Sequence, residues 1–263
     1  MGVPAELNDS SRQMRMMTFC LLVAGAAIFA SQSSFAKEPS ASPPQPPVDS
    51  LIPWLLREDT QLRGIPFTKV IFDATGKKVI AIDPQNEIDQ RVIKQISAAL
   101  DEVVRRLNEP GSAIENIARI NEVSSHFEDL LRDLLNSAPG LSCDFPHTAE
   151  NRVQRSGYPD LRVVDQETKR VFYLDPKLYA AGSRESSFRT FYFEPKTTTN
   201  KVLDDAVHLV AGFEHETGKG GHWKFTRWDL VDLSHFEVKL KAEFQGSNRD
   251  MYRREAIVAT SAK

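Results

Sequence analysis

The chain has 263 residues, with 33 Lys and Arg against 36 Asp and Glu, a formal net charge of −3. That balance argues against broad, nonspecific phosphate binding, for which a basic domain is expected, while leaving room for a local basic cleft. Hydrophobic residues make up 41% of the chain and there are two cysteines, which suits a globular fold stabilised by its core and not by a disulfide framework.

At the N-terminus Arg12 and Arg15 precede an apolar run from Met16 to Ala30, and Ser34-Phe35-Ala36 offers a small, any, small cleavage pattern. Residues 1–36 therefore read as a secretory signal peptide, predicting an exported protein, periplasmic or secreted, with a signal-anchored form as the alternative. The run is shorter than the roughly 20 residues a membrane-spanning helix needs. Cleavage would remove Cys20 and leave Cys143 as the single cysteine. Residues 37–53, with Pro43-Pro44-Gln45-Pro46-Pro47, read as an extended Pro/Ser-rich linker. Residues 54–263 then form a single α+β domain.

Within that domain, Phe67 to Phe72 and Val79 to Ile82 around Asp73-Ala74-Thr75-Gly76 predict a hairpin. Ile88, Val92, Ile96, Leu100, Val103 and Leu107 recur at helical spacing until Glu109-Pro110-Gly111. A second helix is predicted from Ser112, with Glu115 three residues on as a capping box, through Phe127, Leu130, Leu131 and Leu134 to Pro139-Gly140. After a central hairpin come a strand from Ser187 to Phe193, a short helix from Lys201 to Asp205 and an extended run from Val207 to Glu216. A turn at Gly218-Lys219-Gly220-Gly221, a strand from Trp223 to Leu233 and another from Phe236 to Phe244 complete the expectation.

The central hairpin carries the chemistry. Leu161, Val163 and Val164 form one strand, Gln166-Glu167-Thr168-Lys169 interrupt it, and Val171 to Leu174 resume it. If those four residues are the loop, Asp165 faces Arg170 and counting outward sets Asp160 opposite Asp175. Directly opposed residues project to the same side, roughly 4.5–5.5 Å apart at Cβ, and Lys177 shares that face. A register one residue off would separate the two acids. Opposed like charges call for a cation or a shared proton. Two carboxylates and no compact His or Cys cluster favour Mg²⁺ or Mn²⁺ over Zn²⁺.

Pro159-Asp160 followed by Asp175-Pro176-Lys177 resembles the PD-(D/E)XK nuclease superfamily. The resemblance spans at most about residues 112–216. It implies a restriction-endonuclease-like mixed β-sheet with preceding helices and long hairpins, and metal-dependent hydrolysis of phosphodiester bonds in nucleic acid, with DNA the expected partner. It also implies that Asp160, Asp175 and, from the preceding helix, Glu128 bind the metal, and that Lys177 positions or activates water. Pro176 departs from the apolar residue usual at the middle position, since proline belongs at a strand edge or bulge.

The acid-any-Lys pattern recurs at Glu194-Pro195-Lys196 and Glu237-Val238-Lys239. Glu194 and Lys196, with Arg184, Arg189 and Lys201 downstream of the hairpin, are candidate substrate contacts or else solvated surface charges. His208 and His215 have odd spacing in a strand-like run, so they face opposite sides and read as structural. A noncatalytic exported binding module without a functional metal is the alternative function.

Overall fold

A computed structural model describes residues 48–57, 62–187, 191–217 and 222–261. The expected signal segment, most of the linker, Arg189 and the glycine-rich turn at 218–221 lie outside the described residues.

The elements in chain order are α1 (Val48–Arg57), β1 (Ile65–Pro66), α2 (Phe67–Thr75), β2 (Val79–Ile80), α3 (Glu87–Leu107), α4 (Ile120–Ser137) and β3 (Leu141–Asp144). They are followed by β4 (Leu161–Asp165), β5 (Val171–Ala180), β6 (Ala206–Thr217), β7 (Trp223–Asp232), a 3-10 turn (Leu233–His235), β8 (Glu237–Val238) and a one-turn α5 (Asn248–Met251). Five strands run in the order β2-β6-β5-β4-β3, and β7 also pairs with β6. The β6 edge is divided: β2 lies parallel to its first residues and β7 antiparallel to the rest. Because β5 and β6 are parallel while β3-β4-β5 is an antiparallel meander, the sheet is mixed, a restriction-endonuclease-like α+β architecture as expected. A separate two-stranded ribbon joins β1 to β8.

Alternation along the strands divides the core between two faces. On one face Phe172 and Leu174 of β5 pack with Leu209, Phe213 and Phe225 beneath α3 and α4, which contribute Val92, Ile96, Leu100, Phe127 and Leu131. On the other, Val171 and Tyr173 pack with Val164, Val202 and Leu233 beneath Phe67 and Ile71 of α2. The antiparallel turn is tied to α3 by crossed ion pairs. Arg170 holds Asp89, with Nε 2.5 Å from Oδ1, and Arg91 holds Asp165. Both carboxylates are fully buried, so each guanidinium offsets a desolvation cost that an unpaired acid would carry in full. Asp165 also accepts from the Thr168 amide and hydroxyl, closing the loop.

Several sequence expectations need correction. Phe67 to Phe72 forms α2 and not a hairpin strand, because Phe67 and Ile71, four residues apart, are buried together on one helical face. Gly76 ends this helix at φ 71°, its N–H donating to the Phe72 carbonyl at 2.8 Å, so the Asp73 to Gly76 segment is a helix terminus. The second helix starts at Ile120 and not at Ser112. Glu115 caps the Gly111 amide at 2.8 Å, and Ile114 turns into the core without a helix around it. Residues 191–196 and 201–205 form neither the strand nor the helix expected of them, and the last expected strand is only Glu237–Val238. Residues 48–53, assigned to the linker, belong to α1 despite Pro53. The strands from 207 and from 223 form as expected, as β6 and β7. Cys143 is a free, buried thiol. No described helix is long and apolar enough to cross a membrane.

Candidate functional site

The β4–β5 register is the one that spacing predicts. Val164 pairs with Val171, Val163 with Phe172, Arg162 with Tyr173 and Leu161 with Leu174. Continued by one step, it sets Asp160 opposite Asp175, on the face that also carries Arg162 and Tyr173. Next to the acids that face is locked by a satisfied network. Arg162 forms a two-pronged ion pair with Asp204 at 2.8 and 2.9 Å, and the Tyr173 hydroxyl donates to the same carboxylate at 2.7 Å. The Leu203 amide donates back to the Tyr173 oxygen at 3.0 Å.

Lys177 completes the group. Its Nζ lies 2.6 Å from Asp175 Oδ2 and 3.7 Å from Asp160 Oδ2. Asp175 is 1% exposed, and neither of its oxygens accepts a hydrogen bond of normal geometry despite the nearby ammonium. Pro176 sits between these residues without breaking the sheet. The β4 ladder ends at Leu174, so the proline gives up no bond to that neighbour while it remains paired in register with Ala211 of β6.

Burial pushes the Asp160 carboxyl up to about 8, and the adjacent Asp175 charge adds to the rise against the opposing pull of Lys177. For Lys177 burial acts downward, but the charges of Asp175 and Asp160 prevail and raise its pKa, so the ammonium stays protonated. The raised carboxyl has a consequence for stability. The folded protein retains a proton at Asp160 that the unfolded chain, with an ordinary carboxyl near about 4, releases. This contribution is full below the unfolded pKa and is lost as pH rises through about 8. In urea titrations of metal-free protein the midpoint should fall between pH 5 and pH 8, and Asp160→Asn should flatten most of that fall. An undiminished slope in the variant would show that the proton resides elsewhere.

Glu128 projects from α4 directly after the core residue Phe127. Its carboxylate is taken by Arg155, with Nη2 2.9 Å from Oε2. Burial raises its pKa against Arg155, and the Asp160 charge raises it further, which places the two acids in one electrostatic neighbourhood. Among the described residues no three His, Cys, Asp or Glu side chains are gathered closely enough to cage a metal, so Glu128 does not join Asp160 and Asp175 in a preassembled cluster.

The other candidate contacts are dispersed. Glu194 and Lys196 pair with each other at 2.9 Å on an exposed irregular segment. Arg184 is exposed and holds Asp229 at 3.2 Å, alongside Arg227. Lys201 is buried at 2% exposure, its Nζ donating to the Gln154 carbonyl at 3.1 Å beside a cavity of about 420 Å³. Burial lowers its pKa, opposed by the charges of Asp160, Asp175 and Glu128.

Sequence reasoning missed Tyr158 and His208 as partners of the site. The Tyr158 hydroxyl lies 2.7 Å from His208 Nδ1, fully buried, and the two rings stack. Burial raises the tyrosine far above its usual range and pulls the histidine down to about 3, so both groups are neutral and share one hydrogen bond. The signal available was the aromatic residue next to Pro159; nothing in the spacing linked it to a histidine fifty positions away.

Comparison with known proteins agrees with a restriction-enzyme reading. A family model described as the Type II restriction enzyme MjaV family matches residues 60–255, which include every residue of the cluster. The type II restriction enzyme MjaV of Methanocaldococcus jannaschii is 30% identical over 215 residues, covering 78% of this chain and 92% of that protein. These matches overturn the expectation of export. Similarity to a restriction enzyme points to an enzyme acting on DNA and supports neither a signal function for residues 1–36 nor a secreted, periplasmic or signal-anchored destination. The N-terminal pattern misled because a short apolar run behind two arginines is a compositional signal that many sequences satisfy.

Proposed function

As a member of the MjaV family of type II restriction enzymes, this protein is a nuclease that cuts DNA, and we propose that its active site is a PD-(D/E)XK centre formed by Asp160, Asp175 and Lys177. The observation that carries this reading is the pairing of buried Asp175 with a second acid, Asp160, the two carboxylates sharing the Lys177 ammonium at 2.6 and 3.7 Å, so that one negative charge is left for a cation to offset. Such a pair is costly unless a cation takes it up. Hard carboxylate oxygens fit Mg²⁺, with Mn²⁺ as a substitute. Asp160 and Asp175 would hold the ion directly, and Glu128 would complete the acidic set from α4 once released from Arg155.

The bound ion would polarise a phosphoryl oxygen and lower the pKa of a coordinated water. Lys177 stands beside both acids, its Nζ 2.6 Å from Asp175 and 3.7 Å from Asp160. Its ammonium orients the attacking water and stabilises negative charge as the water oxygen bonds to phosphorus and gives up its proton to solvent, while the bond to the leaving nucleotide oxygen breaks and that oxygen takes a proton from solvent. The crossed ion pairs at the hairpin turn and the Arg162–Asp204–Tyr173 network hold the two strands in the register that brings the acids together. The noncatalytic alternative loses its ground with family membership.

Removal of metal tests the reading. Purified protein treated with a chelator should leave plasmid DNA intact, and added Mg²⁺ or Mn²⁺ should restore discrete cutting. Cleavage that persists undiminished in the chelator would refute a metal-dependent centre.

A further inference from the structure

We propose that the buried Tyr158–His208 hydrogen bond is a positioning device for Asp160, setting the metal affinity of the centre without touching the metal or the DNA. The inference rests on the assignment of Asp160 and Asp175 as metal ligands. Asp160 stands outside the sheet: β4 begins at Leu161, and the last pair of its ladder with β5 is Leu161 with Leu174. The ladder therefore does not fix the residue that must face Asp175. Once Asp160 is ionised, as metal binding requires, it and Asp175 repel, and the pull of Lys177, 3.7 Å from Asp160, and of Lys201 works against that repulsion.

Two residues before Asp160, next to the buried Pro159, Tyr158 is the upstream point held by a hydrogen bond. Its ring lies in an aromatic nest, with centroids 5.7 Å from Phe67, 5.3 Å from Phe191 and 5.8 Å from His208. Phe67 belongs to α2 and His208 to β6, where it pairs in register with Tyr173. Packing fills the nest but does not select a height or rotation for the ring. The hydroxyl does, through its 2.7 Å bond to His208 Nδ1. Among the described residues the His208 imidazole has no other hydrogen-bond partner, its Nε2 being buried without one. A buried imidazole with one ring nitrogen left unsatisfied is costly, and among the described residues its hydrogen-bond return is the tyrosine. This ties the entry of β4 to β6, the strand beside Asp175.

Outer partners that orient metal ligands typically alter affinity by about 10–100-fold when removed. The test uses Mn²⁺ as the probe, with bound and free ion separated by electron paramagnetic resonance, on full-length wild type, Asp160→Ala, Tyr158→Phe, His208→Leu and their double variant. Wild type should bind Mn²⁺, and Asp160→Ala should lose the site. Tyr158→Phe and His208→Leu should each bind about tenfold more weakly, and the double variant should lose no more than either alone, because the two act as one unit. His208→Gln, whose amide oxygen can accept the tyrosine proton, should recover part of the loss. DNA affinity without metal should stay within about twofold, and saturating Mn²⁺ should restore the cleavage rate. Wild-type affinity in Tyr158→Phe, or losses that add in the double variant, would overturn the positioning role while leaving the metal site intact. Absence of an Asp160-dependent site in wild type would instead overturn the assignment on which the proposal stands.

Discussion

Asp160→Asn should produce an enzyme that is more stable than wild type in metal-free buffer at pH 8 and yet cuts DNA about 10²–10⁴-fold more slowly, the loss typical when a group essential to proton or charge handling is removed. Both halves follow from one geometry. Asp160 and Asp175 are opposed across the end of a hairpin, one carboxyl is pushed up to about 8, and one ammonium serves both. Asparagine keeps the shape, removes the repulsion and leaves Lys177 with Asp175. It also removes a charged ligand, so the cation needed for catalysis is held poorly. Single-turnover cleavage and urea unfolding on the same preparation measure the two effects together. Lys239→Ala, in the third acid-any-Lys segment on the separate β1–β8 ribbon, should cut at the wild-type rate. A variant at Asp160 that is destabilised and fully active would reverse both signs and dismiss the site.

The second large effect concerns the platform. Phe127 of α4 is fully buried, its ring centroid 4.5 Å from Phe213 of β6 and 4.7 Å from Phe225 of β7. These three rings join the helix layer to two strands that share a long ladder. Phe127→Ala should cost about 3–5 kcal/mol, combining lost burial with the cavity left behind. That is a large part of the roughly 5–15 kcal/mol available to an ordinary domain. Equilibrium urea denaturation of the variant at pH 7 would measure it. A loss under about 1 kcal/mol would mean that α4 does not pack on the sheet as described.

The fold was legible where periodicity was strong and burial one-sided. The α3 heptad of apolar residues and the β4–β5 alternation both took the forms that their spacing demanded. The hairpin register was readable because a four-residue loop, Gln166 to Lys169, leaves little freedom in how Asp165 meets Arg170, and that pairing brings Asp160 to Asp175. Tertiary packing overrode local preference elsewhere. Val70 and Ile71 have strand character, yet Phe67 and Ile71 are buried in one cluster, and a helix sets them about 6 Å apart along its axis where a strand would spread them over about 13 Å. Ser112 and Glu115 had the form of a capping box, but Glu115 caps a turn instead. The buried Asp89–Arg170 and Arg91–Asp165 pairs join residues more than seventy positions apart, beyond the reach of any local pattern. Glu128 was visible as an acid beside a core residue, whereas its capture by Arg155 depends on how residues 145–157 cross α4 and leaves no mark in spacing. Lys201 was expected among exposed charges, and its burial follows from the path of the irregular segment before β6.

The central claim is that Asp160 and Asp175 jointly hold one hard cation. Crystals of the enzyme soaked in Mn²⁺, with data collected for anomalous scattering, would test it most directly. A single anomalous peak within about 2.0–2.6 Å of an oxygen from each of the two aspartates, the coordination range for hard cations on oxygen ligands, is the predicted result. A peak held by other residues, or none near these carboxylates at saturating Mn²⁺, would contradict it.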